Sequence, residues 1–220
     1  MEPRFTRGEY WLLENVVEDE FAIGALIDND LRLHLNKKWH GLTHTSLVET
    51  LHSLLASGLI YAKSEATGFI STHEQIKRAL DEMKSRNIDS VGKEKLTFYG
   101  LTEEGGTQWE AFAAPDWQSY IKEGFQMPDG SEYGIWEVIC ADKGWLESYF
   151  KSIYFYYPIE MSLASVAWDY ISPWQATYWK QLDGAYRLRF QARDEREEKN
   201  AEPSPPPSME YFYSIWCAWR

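Results

Sequence analysis

Few residues of this chain have the type and spacing that chemistry needs. His34, His40, His44 and Glu49 lie close together, and His40 and His44 fall four apart, as paired metal ligands on one helix face do. Gly41 and Thr43 interrupt that spacing, there is no HExxH, and a third or fourth matched ligand is missing. The histidines therefore read as cap and surface residues, and no metal is expected. Cys140 and Cys217 form no CxxC. Cys140 sits in an apolar run and reads as a small buried residue, because a thiol nucleophile needs a neighbouring base and an electropositive setting. Gly105-Gly106 follows a strand-like run and opens a helix, as phosphate loops do, but lacks GxGxxG and a GK[ST] ending. Asp169, between Trp168 and Tyr170, is the one carboxylate whose surroundings could perturb it, and it reads as a cap for the Ser172-Pro173 turn. No catalytic, cofactor-binding or metal-ligating residue is nominated, and no enzymatic activity is expected.

The elements that would position such residues are easier to read. Leu96 to Leu101 is β-branched and aromatic, and Thr102 then caps a helix with Glu103 and Glu104 in its first turn. Trp109, Phe112 and Ala113 follow at helical spacing, and Pro115 stops the helix. Nearer the start, Glu9 to Val17 reads as a short helix and Phe21 to Leu35 as a second, on the stripe Ile23, Leu26, Ile27 and Leu31. Thr43 or Thr45 caps a third helix, carried by Leu47, Val48, Leu51, Leu54 and Leu55. Gly58 and Leu59 stand where a Schellman end belongs, and Leu59 to Ala62 reads as a strand.

Three helices, a strand, a connection and a second strand make the order of a winged helix. "LVETLHSLLASGLIYA", Leu47 to Ala62, resembles the recognition helix of bacterial winged-helix proteins leading into the first wing strand. "YGLTEEGGTQWE", Tyr99 to Glu110, is similar to their second wing strand and following helix, where a Tyr-x-Leu-Thr-x-x-Gly pattern recurs. The resemblance covers about half the chain and implies a fold more than a function, since winged helices bind DNA, RNA and protein alike. Between the wing strands, overlapping capping boxes at Ser71–Glu74 and Thr72–Gln75 precede the apolar stripe Ile76, Leu80 and Met83. A helix inserted in the wing over about 65–94 and resting on the surface is expected.

The expected class is α+β: a winged-helix-like domain over 1–125 and a small aromatic-rich α+β domain over 134–220. Ala114 to Tyr133 reads as a connector. Strands are expected at Ile135 to Ala141, Met161 to Ile171 and Tyr186 to Ala192, with helices from Gly144 to Tyr156 and from Ser172-Pro173 onward. Residues 193–208 are charged and then proline-rich, and read as a solvated loop. Met209 to Arg220 alternates as a strand that closes the sheet, or one that adds to a partner's sheet.

Charge orders the functional readings. The chain of 220 residues carries a formal charge of −12, which repels phosphates and favours basic partners. The helix from Thr45 to Ser57 offers Ser46, Glu49, Thr50, His52 and Ser53 where a DNA-reading helix would present cations. The leading expectation is a non-enzymatic, cytoplasmic, bacterial protein-binding module of immunity or antitoxin type, with a basic partner. Its contact residues are taken as Glu49, His52, Trp174, Tyr178, Trp216 and Trp219. The alternative is a winged-helix transcriptional regulator using Lys37, Lys38 and His40 on DNA. No apolar run reaches membrane-spanning length, and no cofactor is expected.

Overall fold

The computed structural model describes residues 5–27, 39–64, 66–81, 96–156 and 159–194. The fold is α+β, with five α-helices among the described residues and antiparallel pairing throughout its sheets. The chain divides into two compact units. The first holds Met1–Ala114 with the segment Thr177–Lys180, and the second begins at Pro115 and resumes at Gln181.

In the first unit, helix α1 (Arg7–Glu14) starts at a capping box: the Thr6 hydroxyl accepts from the Glu9 amide, and the Glu9 carboxylate accepts from the Thr6 amide. It buries Tyr10, Trp11, Leu12 and Leu13. The helix expected from Phe21 does not start there. Phe21–Ala22 is strand β1, paired with Tyr99 and Phe98, and Ile23–Ile27 is a 3-10 turn; the rest of that expected helix lies outside the described residues. Helix α2 (His44–Ala56) is capped by Thr43, and its Leu47, Leu51 and Leu54 are buried. It ends as a Schellman motif: Gly58 has φ +73°, its amide reaches Leu55 O and the Leu59 amide reaches Leu54 O.

Strands β2 (Ile60–Ser64), β3 (Gly68–Phe69) and β4 (Thr97–Leu101) join β1 in a sheet of order β1-β4-β2-β3. Helix α3 (His73–Asp81) lies between β3 and β4, opened by Thr72 and Gln75. It is no surface ornament: Ile76 and Leu80 are 0 % exposed, and it packs on α2 and the 3-10 turn. The stripe therefore completes the core, which corrects the expectation of a helix resting outside; Met83 lies outside the described residues. Helix α4 (Glu103–Ala113) is capped by Thr102, whose hydroxyl also donates to Gly58 O at 2.6 Å. Gly105 then lies so close to β2's entry that a Cβ there would sit 1.8 Å from Leu59 O.

The segment Thr177–Lys180 completes this unit's polar bookkeeping. The Tyr178 hydroxyl donates to Val16 O at 2.6 Å and accepts from the Leu101 amide at 2.5 Å. Trp179 Nε1 donates to Val17 O, its ring meets Trp109 edge-on, and Lys180 pairs with Glu110 at 2.7 Å. These carbonyls follow the end of α1, where no helix partner remains for them.

Among its described residues, the second unit has a four-stranded sheet with a helix packed on it and a small separate hairpin. Strands β5 (Ile121–Gln126), β6 (Gly134–Cys140), β7 (Ile159–Ile171) and β10 (Ala185–Asp194) run in the order β5-β6-β10-β7. β5 lies inside the stretch read as a connector. Helix α5 (Lys143–Tyr156) starts at Asp142, whose carboxylate accepts from the Trp145 amide. It packs Leu146, Tyr149 and Ile153 on Val138, Cys140, Leu188 and Phe190. The register shifts between Arg189 and Gln191 opposite β7, so its alternation breaks between Ser162 and Ala167, and the bulge bends an edge strand. Ser172-Pro173 does not start a helix. The Ser172 hydroxyl donates to Asp183 O at 2.6 Å, and Trp174–Gln175 (β8) pairs with Gln181–Leu182 (β9) as a small hairpin. Arg193 and Asp194 end β10; 195–208 and the expected strand 209–220 lie outside the described residues.

Candidate functional site

Helix α2 bears Glu49 and His52 on a side that α3 meets. His73, the first residue of α3, places Nε2 2.9 Å from the Glu49 carboxylate and stacks on His52 with ring centroids 3.7 Å apart. At the other end of the same seam, His44 Nε2 stands 3.5 Å from Asp81. The two helices run antiparallel, joined by one histidine–carboxylate pair at each end. Glu49 and His52 are thus brought together as α2 neighbours, and His73 is the member that sequence reasoning missed. Of α2's exposed residues, Thr45, Glu49, Ser53 and Ala56, none is a cation.

The other nominated residues fare differently. Trp174 is 2 % exposed and stacks on Tyr120, so it is a core residue and not a contact residue. Tyr178 keeps part of its ring outside, but its hydroxyl is committed to Val16 and Leu101. His40, assigned to nucleic acid, is 4 % exposed: Nε2 meets Leu26 O at 3.0 Å, Nδ1 accepts from the Leu42 amide, and the ring packs on Trp11 and Trp39. It ties the 3-10 turn to the start of α2 and offers nothing to a phosphate. Lys37, Lys38, Trp216 and Trp219 lie outside the described residues.

Chemistry in the second unit is electrostatic. Asp169 does not cap the Ser172-Pro173 turn. Its carboxylate takes two hydrogen bonds from Arg187 at 2.9 and 2.6 Å, with Arg189 at 3.5 Å, and Arg187 also reaches Glu137 at 3.5 Å. The Arg187 guanidinium holds the Asp169 carboxyl below the usual range. Arg193 bridges Glu160 and Glu132 farther along. These rows occupy the sheet face away from α5. On the opposite face, Glu123 of β5 accepts from the Tyr149 hydroxyl, and burial raises its pKa against that bond. Glu123 is exposed as an edge residue, yet it stands opposite buried Val138, so its carboxylate is on the helix side. Cys140 is 0 % exposed, donates to Gln118 O, and burial pushes its thiol up to about 12, where it is no nucleophile. Among the described residues no group of three or more His, Cys, Asp and Glu is placed to hold a metal ion.

A groove of about 460 Å³ opens beside the hairpin, between Gln118 and Ala141 on one side and Tyr170, Gln181, Asp183, Gly184 and Tyr186 on the other. Gly184 is required by its wall, since a Cβ there would lie 2.4 Å from the Tyr170 hydroxyl and 2.7 Å from Ile171 O. No sequence signal beyond a turn-like Asp-Gly pointed to it.

No helix among the described residues is long and apolar enough to cross a membrane. No family model matches the chain, and neither a curated protein nor a solved structure shows significant similarity to it.

Proposed function

We propose that this chain is a non-enzymatic, cytoplasmic protein-binding module of immunity or antitoxin type, built in its first unit on a winged-helix plan and directed at a basic partner. The observation that carries this reading is the α2–α3 seam. A DNA-reading helix keeps its outer side free and cationic. Here α3 lies along α2, His73 is bonded to Glu49, and the exposed α2 residues carry no positive charge. The formal charge of −12 acts in the same direction, opposing phosphates and drawing basic surfaces. The winged-helix plan is supported by the order β1-β4-β2 with α2 leading into β2.

Two measurements test it. Anisotropy titration with random duplex DNA at physiological salt should show binding weaker than the ~10⁻⁴–10⁻⁶ M of non-specific binders. Micromolar binding that collapses with salt would overturn the proposal in favour of a regulator. Co-expression with the products of adjacent genes should yield a basic protein that co-elutes with the chain and whose toxicity the chain suppresses.

A further inference from the structure

We propose that the groove beside the β8–β9 hairpin is a receptor for an arginine side chain of the partner, an assignment that rests on the protein-binding reading above. Three of its lining residues, Gln118, Gln181 and Asp183, carry polar side chains with unused hydrogen-bonding capacity. Among the described residues, the carboxylate of Asp183 and the side-chain amides of Gln118 and Gln181 have no hydrogen-bond or ion-pair partner. Acids on the nearby sheet face differ: Asp169, Glu137 and Glu160 are each matched to an arginine. Asp183 is therefore an unmatched negative charge at a concave place, flanked by carbonyl oxygens that a guanidinium can use.

The aromatic wall selects the same chemistry. Tyr170 is 57 % exposed and packs edge-on against Tyr186 at 5.1 Å, so its outer face is presented to the groove's surroundings. Tyr186 already attracts a cation, for Lys143 Nζ stands 5.9 Å from its centroid and from that of Trp168. Lys143 is itself near Glu147, at 3.7 Å, which moderates its repulsion of a second cation. A planar guanidinium can lie on a tyrosine ring while its edge donates to a carboxylate and an amide oxygen, which a compact ammonium does less well. Gly184 makes the wall possible, since any side chain there would displace the Tyr170 ring. The anionic groove thus matches the basic partner in charge, and the ring matches arginine in shape.

The test uses the full chain and no partner protein, so that failure of the protein-binding reading leaves its outcome unaffected. N-acetyl-arginine amide is titrated while backbone amide shifts are followed by NMR, beside the lysine and the neutral citrulline analogues. The arginine probe should shift Gln118, Asp183 and Gly184 saturably with an apparent Kd of ~1 mM, the range open to so small a ligand. Citrulline amide should give no saturable shift. Asp183→Asn, an exposed substitution, should weaken binding about five-fold at an unchanged melting temperature. Absence of saturable shifts, equal response to citrulline amide, or an unaffected Asp183→Asn would overturn the proposal. Binding of the lysine amide as tight as that of the arginine amide would overturn the guanidinium assignment.

Discussion

Two glycines in the first turns of two helices make a controlled experiment. Gly105, the third residue of α4, and Gly144, the second of α5, each lower helix propensity, so either change to alanine would by propensity alone stabilise by ~1 kcal/mol. Their surroundings differ. At Gly144 a Cβ would meet only Asp142 Oδ1 at 3.4 Å, an ordinary contact with a side chain that can yield. At Gly105 it would stand 1.8 Å from Leu59 O and 2.7 Å from Leu59 C, so one of two backbones must retreat by well over an ångström. Retreat pulls on the Thr102 amide bond to Leu59 O at 3.1 Å and on the hydroxyl bond to Gly58 O at 2.6 Å. Overpacking costs roughly 1–3 kcal/mol and each weakened hydrogen bond about 0.5–1.5 kcal/mol. After the propensity gain is subtracted, Gly105→Ala should destabilise by about 3 kcal/mol, and Gly144→Ala should be neutral or slightly stabilising. In urea denaturation with m of ~2 kcal/mol/M, the Gly105 variant's midpoint should fall by about 1.5 M. A Gly105→Ala protein as stable as the parent would refute the claim that the glycine is there for want of space.

Tyr178→Phe removes one hydroxyl but strands two buried groups, Val16 O and the Leu101 amide, and should cost about 2–3 kcal/mol by the same denaturation assay. Glu123 has its pKa raised by burial, so the native state holds its proton longer than the unfolded chain, and stability falls as pH rises above the ordinary value of 4.5. Glu123→Gln keeps an acceptor for Tyr149 and should melt higher than the parent at neutral pH, an advantage that disappears on acidification below that value; equal melting at neutral pH would count against a buried carboxylate. Cys140 should resist aromatic disulfide reagents at pH 8 in the native state and react fully in denaturant, measured in a Cys217→Ser background.

Capping chemistry was legible because it is local. Thr43, Thr102 and the Gly58-Leu59 pair each act within a few residues, and each stands where its spacing predicts. α3 was legible as a helix for the same reason, but the surface met by Ile76 and Leu80 is contributed by α2 and the 3-10 turn, which no local pattern names. β5 escaped because Glu123 sits at an inward position and Gly124 beside it, which blurs the alternation of Ile121 and Phe125. Ser172-Pro173 has the chemistry of a helix start, yet the serine hydroxyl found a carbonyl eleven residues on. The candidate site follows the same rule. Glu49 and His52 could be placed on their helix, but His73 reaches them from 24 residues beyond Glu49, and the groove is assembled from four separate stretches of chain.

The segment Thr177–Lys180 has a consequence for the order of events during synthesis. Val16 O, Val17 O, the Leu101 amide and Glu110 belong to a unit whose other described residues lie within Met1–Ala114, yet their partners are made some 66 residues after Ala114. At ~5–20 residues/s a nascent chain carries those groups without these particular partners for roughly 3–13 s. During that interval Trp109 also lacks the ring of Trp179 against it. The first half of the chain is thus the first to emerge, but it waits for Tyr178, Trp179 and Lys180 before these contacts can form. A gene fragment ending at Ala114 would make permanent what the ribosome makes temporary.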